Sequence, residues 1–479
     1  MSEALSFAAS AAVTGMAPGA PVLPPGEVEI AAILPRQPRT VADTGLDLRL
    51  LSGLVLKTLH VTGRAPLPLL AGKLRLSISV LREVLGAITV EQQAEVAWSG
   101  DSDIDVQYQL TPIGQRAALD CLAHSPYIGA VPVTLDAYRA MVERQSLRRP
   151  VLRHAQRQGG RPASPSYATA PGALAAMLAD DGLDPALCEV LGAALHAQRP
   201  LLLHGPTGSG KTTLARKLAR LLPGAVAVPY AILVGERIVP FHDPLRHPAP
   251  LPLGRQQQEE RRSCDARWAI CQRPLVHAGA ELDAAMLTLH PDPDSGIHHA
   301  TLQLQANTGI LFLYDIGRCR TPLAELLATW LGMLDGAPAR LVAGGHGESM
   351  PFDAMLVLVT NQAPASVFDP AFLRRIAYRI GMGPLAEPGY RALMRRASRL
   401  HGLDCDEAML DHLVRHLHRA NGTPLLACYP HELLGRVLDF AGFAGTEPRL
   451  TIAALEQAWN SICTSGSAPA SCPVAGIEP

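Results

Sequence analysis

The chain lacks the marks of several common protein classes. None of its nine cysteines forms a CxxC pair, and no histidine stands at zinc-finger spacing from Cys264 and Cys271. A structural zinc module is therefore not expected, and scattered thiols fit a reducing compartment. No apolar run reaches the ~18 uninterrupted residues of a spanning helix, so no membrane span is expected. The opening MSEALSFAASAAVTGMAPGAPVLPPG has no basic start of the kind an export signal carries. It reads as a flexible tail, and the expected location is cytoplasmic. A net charge of −1 argues against a globally basic nucleic-acid binder, though not against a local patch. No internal repeat is visible.

What is present is apolar material for several cores: 479 residues, 48% of them hydrophobic. Composition divides the chain into six parts. Residues 1–39 are rich in Ala, Pro and Gly and read as a disordered tail. Residues 40–120 read as a winged-helix-like domain. Residues 121–170 read as a linker, because a basic low-complexity run, RQSLRRPVLRHAQRQGGRPASPS, starts at Arg144. Strand–helix alternation over 171–385 predicts a parallel sheet. Residues 386–465 have a helical pattern, and 466–479 read as a second tail.

The strongest motif is LLLHGPTGSGKTTLARKLARLL, from Leu201 to Leu222. Gly205, Pro206, Thr207, Gly208, Ser209, Gly210, Lys211 and Thr212 match GxxxxGK[ST], and Thr213 follows. A short apolar strand enters the loop and an amphipathic helix leaves it. The glycines let backbone N–H groups turn inward around phosphates, and the helix points its positive end at them. Lys211 supplies a point charge, and Thr212 a hydroxyl for Mg²⁺. The predicted ligand is a nucleoside triphosphate with Mg²⁺.

The class of P-loop protein has to come from elsewhere. No NKxD-type base reader follows the loop, and no LSGGQ-like signature lies in the right domain. Three later segments appear in order instead. ILFLYD ends at Asp315, AMLVLVTN ends at Thr360 and Asn361, and FDPAFLRRIAYRI carries Arg374 and Arg375. These resemble the Walker B, sensor 1 and arginine-finger segments of AAA+ ATPases. Residues 40–460 resemble a bacterial AAA+ family described as ATPases with chaperone activity, distantly similar to MoxR-type ATPases. The resemblance rests on TGLDLRLLSGLVLKTLHVTG (44–63), YQLTPIGQRAALDCLAHSPYIGAVPV (108–133), RWAICQRPLVHAGAEL (267–282) and QANTGILFLYDIGRCRTPLAELLATWL (305–331). It implies an α/β fold, an AAA+ parallel sheet with a helical lid, preceded by a small winged helix. It also implies ATP and Mg²⁺ as ligands, a homo-oligomer that is a ring, and a protein client. Catalytic roles would fall to Asp315, Asn361, Arg374 and Arg375, with Thr212 and Asp315 at the metal.

Two positions depart from the family pattern. Its strand ends in two aspartates, one holding Mg²⁺ and one polarising the attacking water. Here Tyr314 takes the first place and Asp315 the second. In one reading the register is kept, Asp315 polarises water and metal binding is weakened. In the other Asp315 takes the metal and no acid follows. Side chains alternate along a strand, so the second reading needs a backbone adjustment, and the register favours the first. In the lid, YPHELLGRV puts His431 where the family has a sensor 2 arginine. Arg436 on the same helix is a candidate substitute. Both departures predict weak hydrolysis.

Residues 40–120 hold seven Lys/Arg against nine Asp/Glu, and Asp101, Asp103 and Asp105 sit at the wing tip. A phosphate contact there would need a cation, so protein recognition is favoured over DNA. Three functions remain: an ATP-driven remodelling protein, a near-inactive ATP-binding regulatory module, or an ATP-controlled winged-helix transcription regulator. The absence of a GAFTGA-like loop disfavours one form of the third.

Overall fold

The computed structural model describes residues 33–463, apart from 101–104, 149–170, 251–254 and short breaks at 180, 223, 317–318, 320, 322, 336–337 and 344–345. The tail expectations for 1–32 and 466–479, and the linker expectation for 149–170, lie outside the described residues. The described chain divides into two compact units. One runs from residue 33 to Tyr390 and includes Leu425–Cys428; the other holds Arg391–Pro424 and the chain from Tyr429.

The first unit is built on a five-stranded sheet. Its strands are β1 (Leu201–His204), β2 (Leu275–Ala278), β3 (Ile310–Leu313), β4 (Met355–Thr360) and β5 (Tyr378–Gly381). Their order is β2-β3-β4-β1-β5, and every neighbouring pair is parallel. The strands read as continuous apolar runs because both faces are covered. Leu202, Leu311, Leu313, Leu356 and Leu358 enter one core. Leu201, Leu203, Ile310, Phe312, Val357 and Val359 enter the other, where Leu214 and Leu218 of helix α1 (Lys211–Arg220) meet them. Each such side chain contributes about 1.5–3 kcal/mol of burial. The fold is thus α/β with a parallel sheet.

The strand–helix alternation expected over 171–385 is interrupted. Between α1 and β2, Ala225–Pro229 pairs antiparallel with Trp268–Gln272. Ala231–Val234 and Arg237–Pro240 form a hairpin. Its two-residue loop is possible because Gly235 accepts φ of 59°.

Residues 40–120 contain helices Leu48–Thr62, Leu67–Leu74 and Ile78–Val90 around their own core of Leu51, Leu54, Leu70, Leu81 and Ile88. Pro68 does not break the second helix, because it sits in the first turn where its missing N–H is not needed. Ala65–Pro66, Val106–Leu110 and Ala94–Ser99 form an antiparallel sheet in that spatial order.

Two expected boundaries move. Leu34, within the stretch read as a tail, is 2% exposed, and Gln37 N–H donates to the Ser263 carbonyl at 3.1 Å. The linker expectation fails for residues 121–148. Val133–Thr134 pairs parallel with Ala231–Val234, and helix Leu135–Gln145 buries Tyr138, Met141 and Val142. The basic composition after Arg144 masked the helical spacing of those three side chains. In the second unit, helix Tyr429–Ala444 and helix Ile452–Cys463 bring Tyr429 against Trp459, with ring centroids 5.6 Å apart. Among the described residues no helix is long and apolar enough to cross a membrane.

The N-terminal helices are tied to the sheet body by a buried ion pair. Arg267 holds Asp265 through Nε at 3.1 Å and Nη2 at 2.8 Å, and donates to the carbonyls of Thr44 and Pro132 at 3.2 and 3.3 Å. Both partners are buried. Removing one leaves an uncompensated charge, which costs about 3–5 kcal/mol. Arg267→Ala should lower unfolding stability by that amount in urea titration; a loss under about 1 kcal/mol would show the tie to be weak.

His247 is a second buried anchor. Its Nδ1 accepts from the Asp243 N–H at 3.1 Å, which leaves Nε2–H to donate to the Gln305 carbonyl at 3.0 Å. Burial is the main cause that pushes its pKa down to about 4. The unfolded chain, with the ordinary value of 6.5, then binds the extra proton first as pH falls. The stability is complete above 6.5 and is lost toward pH 4. Between pH 7 and 5 the loss is about 2 kcal/mol. His247→Leu should flatten this part of the pH profile, with His418, also near 4, and the downward-shifted His204, His242 and His298 left as further contributors. An unchanged slope would refute the assignment.

Candidate functional site

Because all five strands run parallel, their carboxyl ends share one edge of the sheet, where ligands of open α/β sheets bind. β1 delivers Gly205 to that edge, β3 delivers Tyr314 and Asp315, and β4 delivers Thr360 and Asn361. β4 lies between β1 and β3, so Asn361 stands beside the P-loop strand and beside Asp315.

The loop after β1 is fixed by backbone conformation. Gly205 has φ of 139°, and a Cβ there would lie 2.0 Å from the Met382 carbonyl oxygen. Gly208 has φ of 85°, and a Cβ would lie 2.6 Å from Cys428 Sγ. Both places reject a side chain twice over. Helix α1 begins after Gly210 with no side-chain cap, so no side chain takes its first-turn N–H groups. That is the arrangement of an anion cradle. Pro206, Thr207, Ser209, Thr212 and Thr213 fall within the same loop and first helical turn.

Lys211 is only 5% exposed. Its Nζ donates to the carbonyls of Gly205 at 2.9 Å and Pro206 at 2.7 Å, and to the Ser209 hydroxyl at 3.1 Å. Burial pushes its pKa down, and the Asp315 carboxylate pulls it back up. A charge folded onto its own loop in this way is held by acceptors that a phosphate would replace.

Tyr314 and Asp315 diverge. The Tyr314 phenol donates toward Glu281 Oε1 at 3.5 Å, and its ring covers Gly279, where a Cβ would lie 2.2 Å from a ring carbon. Burial, followed by the Glu281 charge, raises the phenol pKa, so it stays neutral. Asp315 adopts φ of 51°, a left-handed conformation uncommon outside glycine. It accepts from Asn361 Nδ2 at 3.2 Å. The two side chains that sequence reasoning assigned to one strand end therefore have different neighbours.

Of the two arginines, Arg375 is held within the chain. Its Nε donates to both Asp335 oxygens at 2.8 Å, and Nη1 donates to the Ala371 carbonyl at 3.1 Å. Arg374 is exposed and has no hydrogen-bond or ion-pair partner among the described residues. His431 and Arg436 lie on helix Tyr429–Ala444 of the second unit. Five positions separate them by about 140° around a helix, so they do not share a face.

Sequence reasoning missed one participant. Leu425–Cys428 crosses the P-loop: Cys428 N–H donates to the Gly208 carbonyl at 2.9 Å, and Leu385 N–H donates to the Leu425 carbonyl at 2.8 Å. The segment LLAC carries no motif that could have signalled this.

Comparison with known proteins adds little to this geometry. A family model described as a domain of unknown function, DUF8689, matches residues 386–461. No curated protein matches the chain. Among solved structures, the chain is similar to the Thermotoga maritima RuvB Holliday junction branch migration motor, at 17% identity and TM-score 0.32, covering 58% of this chain and 67% of that one. It is also similar to NtrX from Brucella abortus in complex with ATP, at 13% identity and TM-score 0.36, covering 72% and 69%. A likeness this loose assigns no activity.

Proposed function

We propose that the protein is an oligomeric AAA+ ATPase that binds Mg·ATP tightly, hydrolyses it slowly and acts on a protein partner. The observation that carries this reading is the joint arrangement at one sheet edge: an uncapped helix behind a glycine loop, Lys211 held by replaceable acceptors, and Asn361 bonded to Asp315. The loop N–H groups and Lys211 would take the β- and γ-phosphates. Thr212 and Asp315 are an oxygen donor set suited to Mg²⁺, with the phosphates completing it. The metal, when bound, would neutralise phosphate charge. Asn361 orients the attacking water. Arg374, being unengaged, is the better candidate to reach a neighbouring subunit's γ-phosphate, and Arg375 with Asp335 would hold its short helix in position.

Slow turnover follows from the acids. The left-handed turn at Asp315 is consistent with the backbone adjustment that the metal-binding reading requires, and its carboxylate accepts from Asn361 on the phosphate side. The Asn361 hydrogen bond and the Lys211 charge, which reaches Asp315 without contact, support Asp315 as the metal ligand, with no second acid to polarise water. Tyr314 cannot take either part as a neutral phenol turned to Glu281. The regulatory reading, in which the ATP-bound state rather than turnover is the working form, is favoured by the same observation.

A winged helix for residues 40–120 is supported by the order of helices and hairpin. Its third helix exposes Ser79, Arg82, Glu83, Gly86, Thr89 and Val90, one cation and one anion. That face is ill suited to phosphates, which supports a protein client over DNA.

Binding of a fluorescent ATP analogue tests the site. Lys211→Ala should weaken it by roughly a hundredfold, about 2.7 kcal/mol, and equal affinity would refute the reading. Tyr314→Asp should raise steady-state phosphate release by roughly tenfold or more, about 1.4 kcal/mol of barrier. No gain, with binding intact, would show that the missing acid does not limit turnover.

A further inference from the structure

The hairpin of the N-terminal region leaves one strand on the outside. Ala94–Ser99 pairs with Val106–Leu110 on one side only, and no described segment pairs with its other side. Outward N–H and C=O groups on such an edge are a template for another strand. Strands that guard against this carry charged side chains, proline or a bulge. AEVAWS has no lysine, arginine or proline, and against pairing it sets only Glu95 and a shift of register between Val96 and Trp98. Its large side chains face water instead: Val96 is 51% and Trp98 48% exposed. The other three tryptophans of the chain, Trp268, Trp330 and Trp459, are buried. Leaving this one in water has a cost unless something covers it.

The charge around the strand is of one sign. Trp98 lies next to Asp105, since a Cβ on Gly100 would meet both the indole ring at 2.7 Å and the Asp105 carboxylate at 2.5 Å. Glu95 is exposed on the strand itself and takes the Gln109 amide at 2.6 Å, which leaves its second oxygen for another donor. Glu91 is exposed just before the strand. An indole with a carboxylate at its edge suits a lysine or arginine side chain, attracted by the ring face and by the acid together. Backbone pairing along an edge, with alternate side chains read by pockets and charges, is a known mode of peptide capture.

We infer that the outer edge of Ala94–Ser99 captures an extended basic segment of a partner protein, adding it as a strand, with a Lys or Arg of that segment seated on Trp98 and Asp105. The surface uses no residue of the nucleotide site. Nucleotide affinity of the same preparations therefore separates a failure here from a failure of the ATPase reading.

The test uses the full chain and a fluorescein-labelled peptide of alternating lysine and valine, followed by anisotropy. Its acidic counterpart, alternating glutamate and valine, serves as control. The basic peptide should bind saturably, with affinity that falls as salt rises, and the acidic one should not. Trp98→Ala and Asp105→Lys should each weaken binding at least tenfold while analogue nucleotide affinity stays unchanged. Val96→Lys, on the water-facing side and therefore mild for folding, should weaken it too. Equal binding by wild type and Trp98→Ala would overturn the proposal. So would equal binding of the acidic peptide.

Discussion

The structure depends on burying both faces of one parallel sheet. Alternate residues of β1, β3 and β4 go to opposite cores, and no strand can slip by a single residue without exchanging the two. That constraint fixes where each strand ends. With the ends fixed, His204 must hand the chain to Gly205, Leu313 to Tyr314, and Thr360 to Asn361, all along one edge. The placement of these side chains is a consequence of how the apolar residues of the strands pack.

The same constraint explains why Tyr314 matters more than an ordinary surface change. The strand cannot shift to put Asp315 where Tyr314 stands, because Leu311 and Leu313 would leave their core. The adjustment is pushed past the strand end, to Asp315, where a left-handed φ costs of order 1–3 kcal/mol and persists because its surroundings hold it. Asn361 is part of that hold. Gly279 completes the arrangement, since any side chain there would displace the Tyr314 ring that turns the phenol away. Strain at Asp315 and the glycine under Tyr314 belong to one solution.

Much of this was legible in the sequence. The P-loop, the three strands that flank it and the helical segments of residues 40–120 carry local signals: glycines at fixed spacing, apolar runs of strand length, and helical periodicity. The parallel order also followed from alternation. What could not be read was non-local. The Leu135–Gln145 helix was hidden by the basic run beginning at its end. The antiparallel pairing of Ala225–Pro229 with Trp268–Gln272 joins residues some forty positions apart, across a hairpin and several other turns, so no single turn signal announces it. Arg375 and Arg374 are identical in sequence terms, and only the distant Asp335 distinguishes them. LLAC has no composition that would announce a segment lying on Gly208.

The N-terminal region and the sheet belong to one compact unit. Arg267 bonds to Asp265 and to two N-terminal carbonyls, Arg75 lies 4.5 Å over the Tyr230 ring, and Val133–Thr134 extends the Ala231–Pro240 hairpin. None of these is a hinge. Arg267 and Val133–Thr134 engage backbone of the other region, Arg75 meets a side chain of it, and the Arg267 charge is too buried to be released without a large cost. A partner seated on the Ala94–Ser99 edge would therefore be attached to the same compact unit as the proposed nucleotide site. Leu425–Cys428 lies across the P-loop, joined to it by the Cys428 N–H on the Gly208 carbonyl and to Leu385 by the Leu425 carbonyl. A phosphate that reordered the loop around Gly208 would act directly on the first of these bonds.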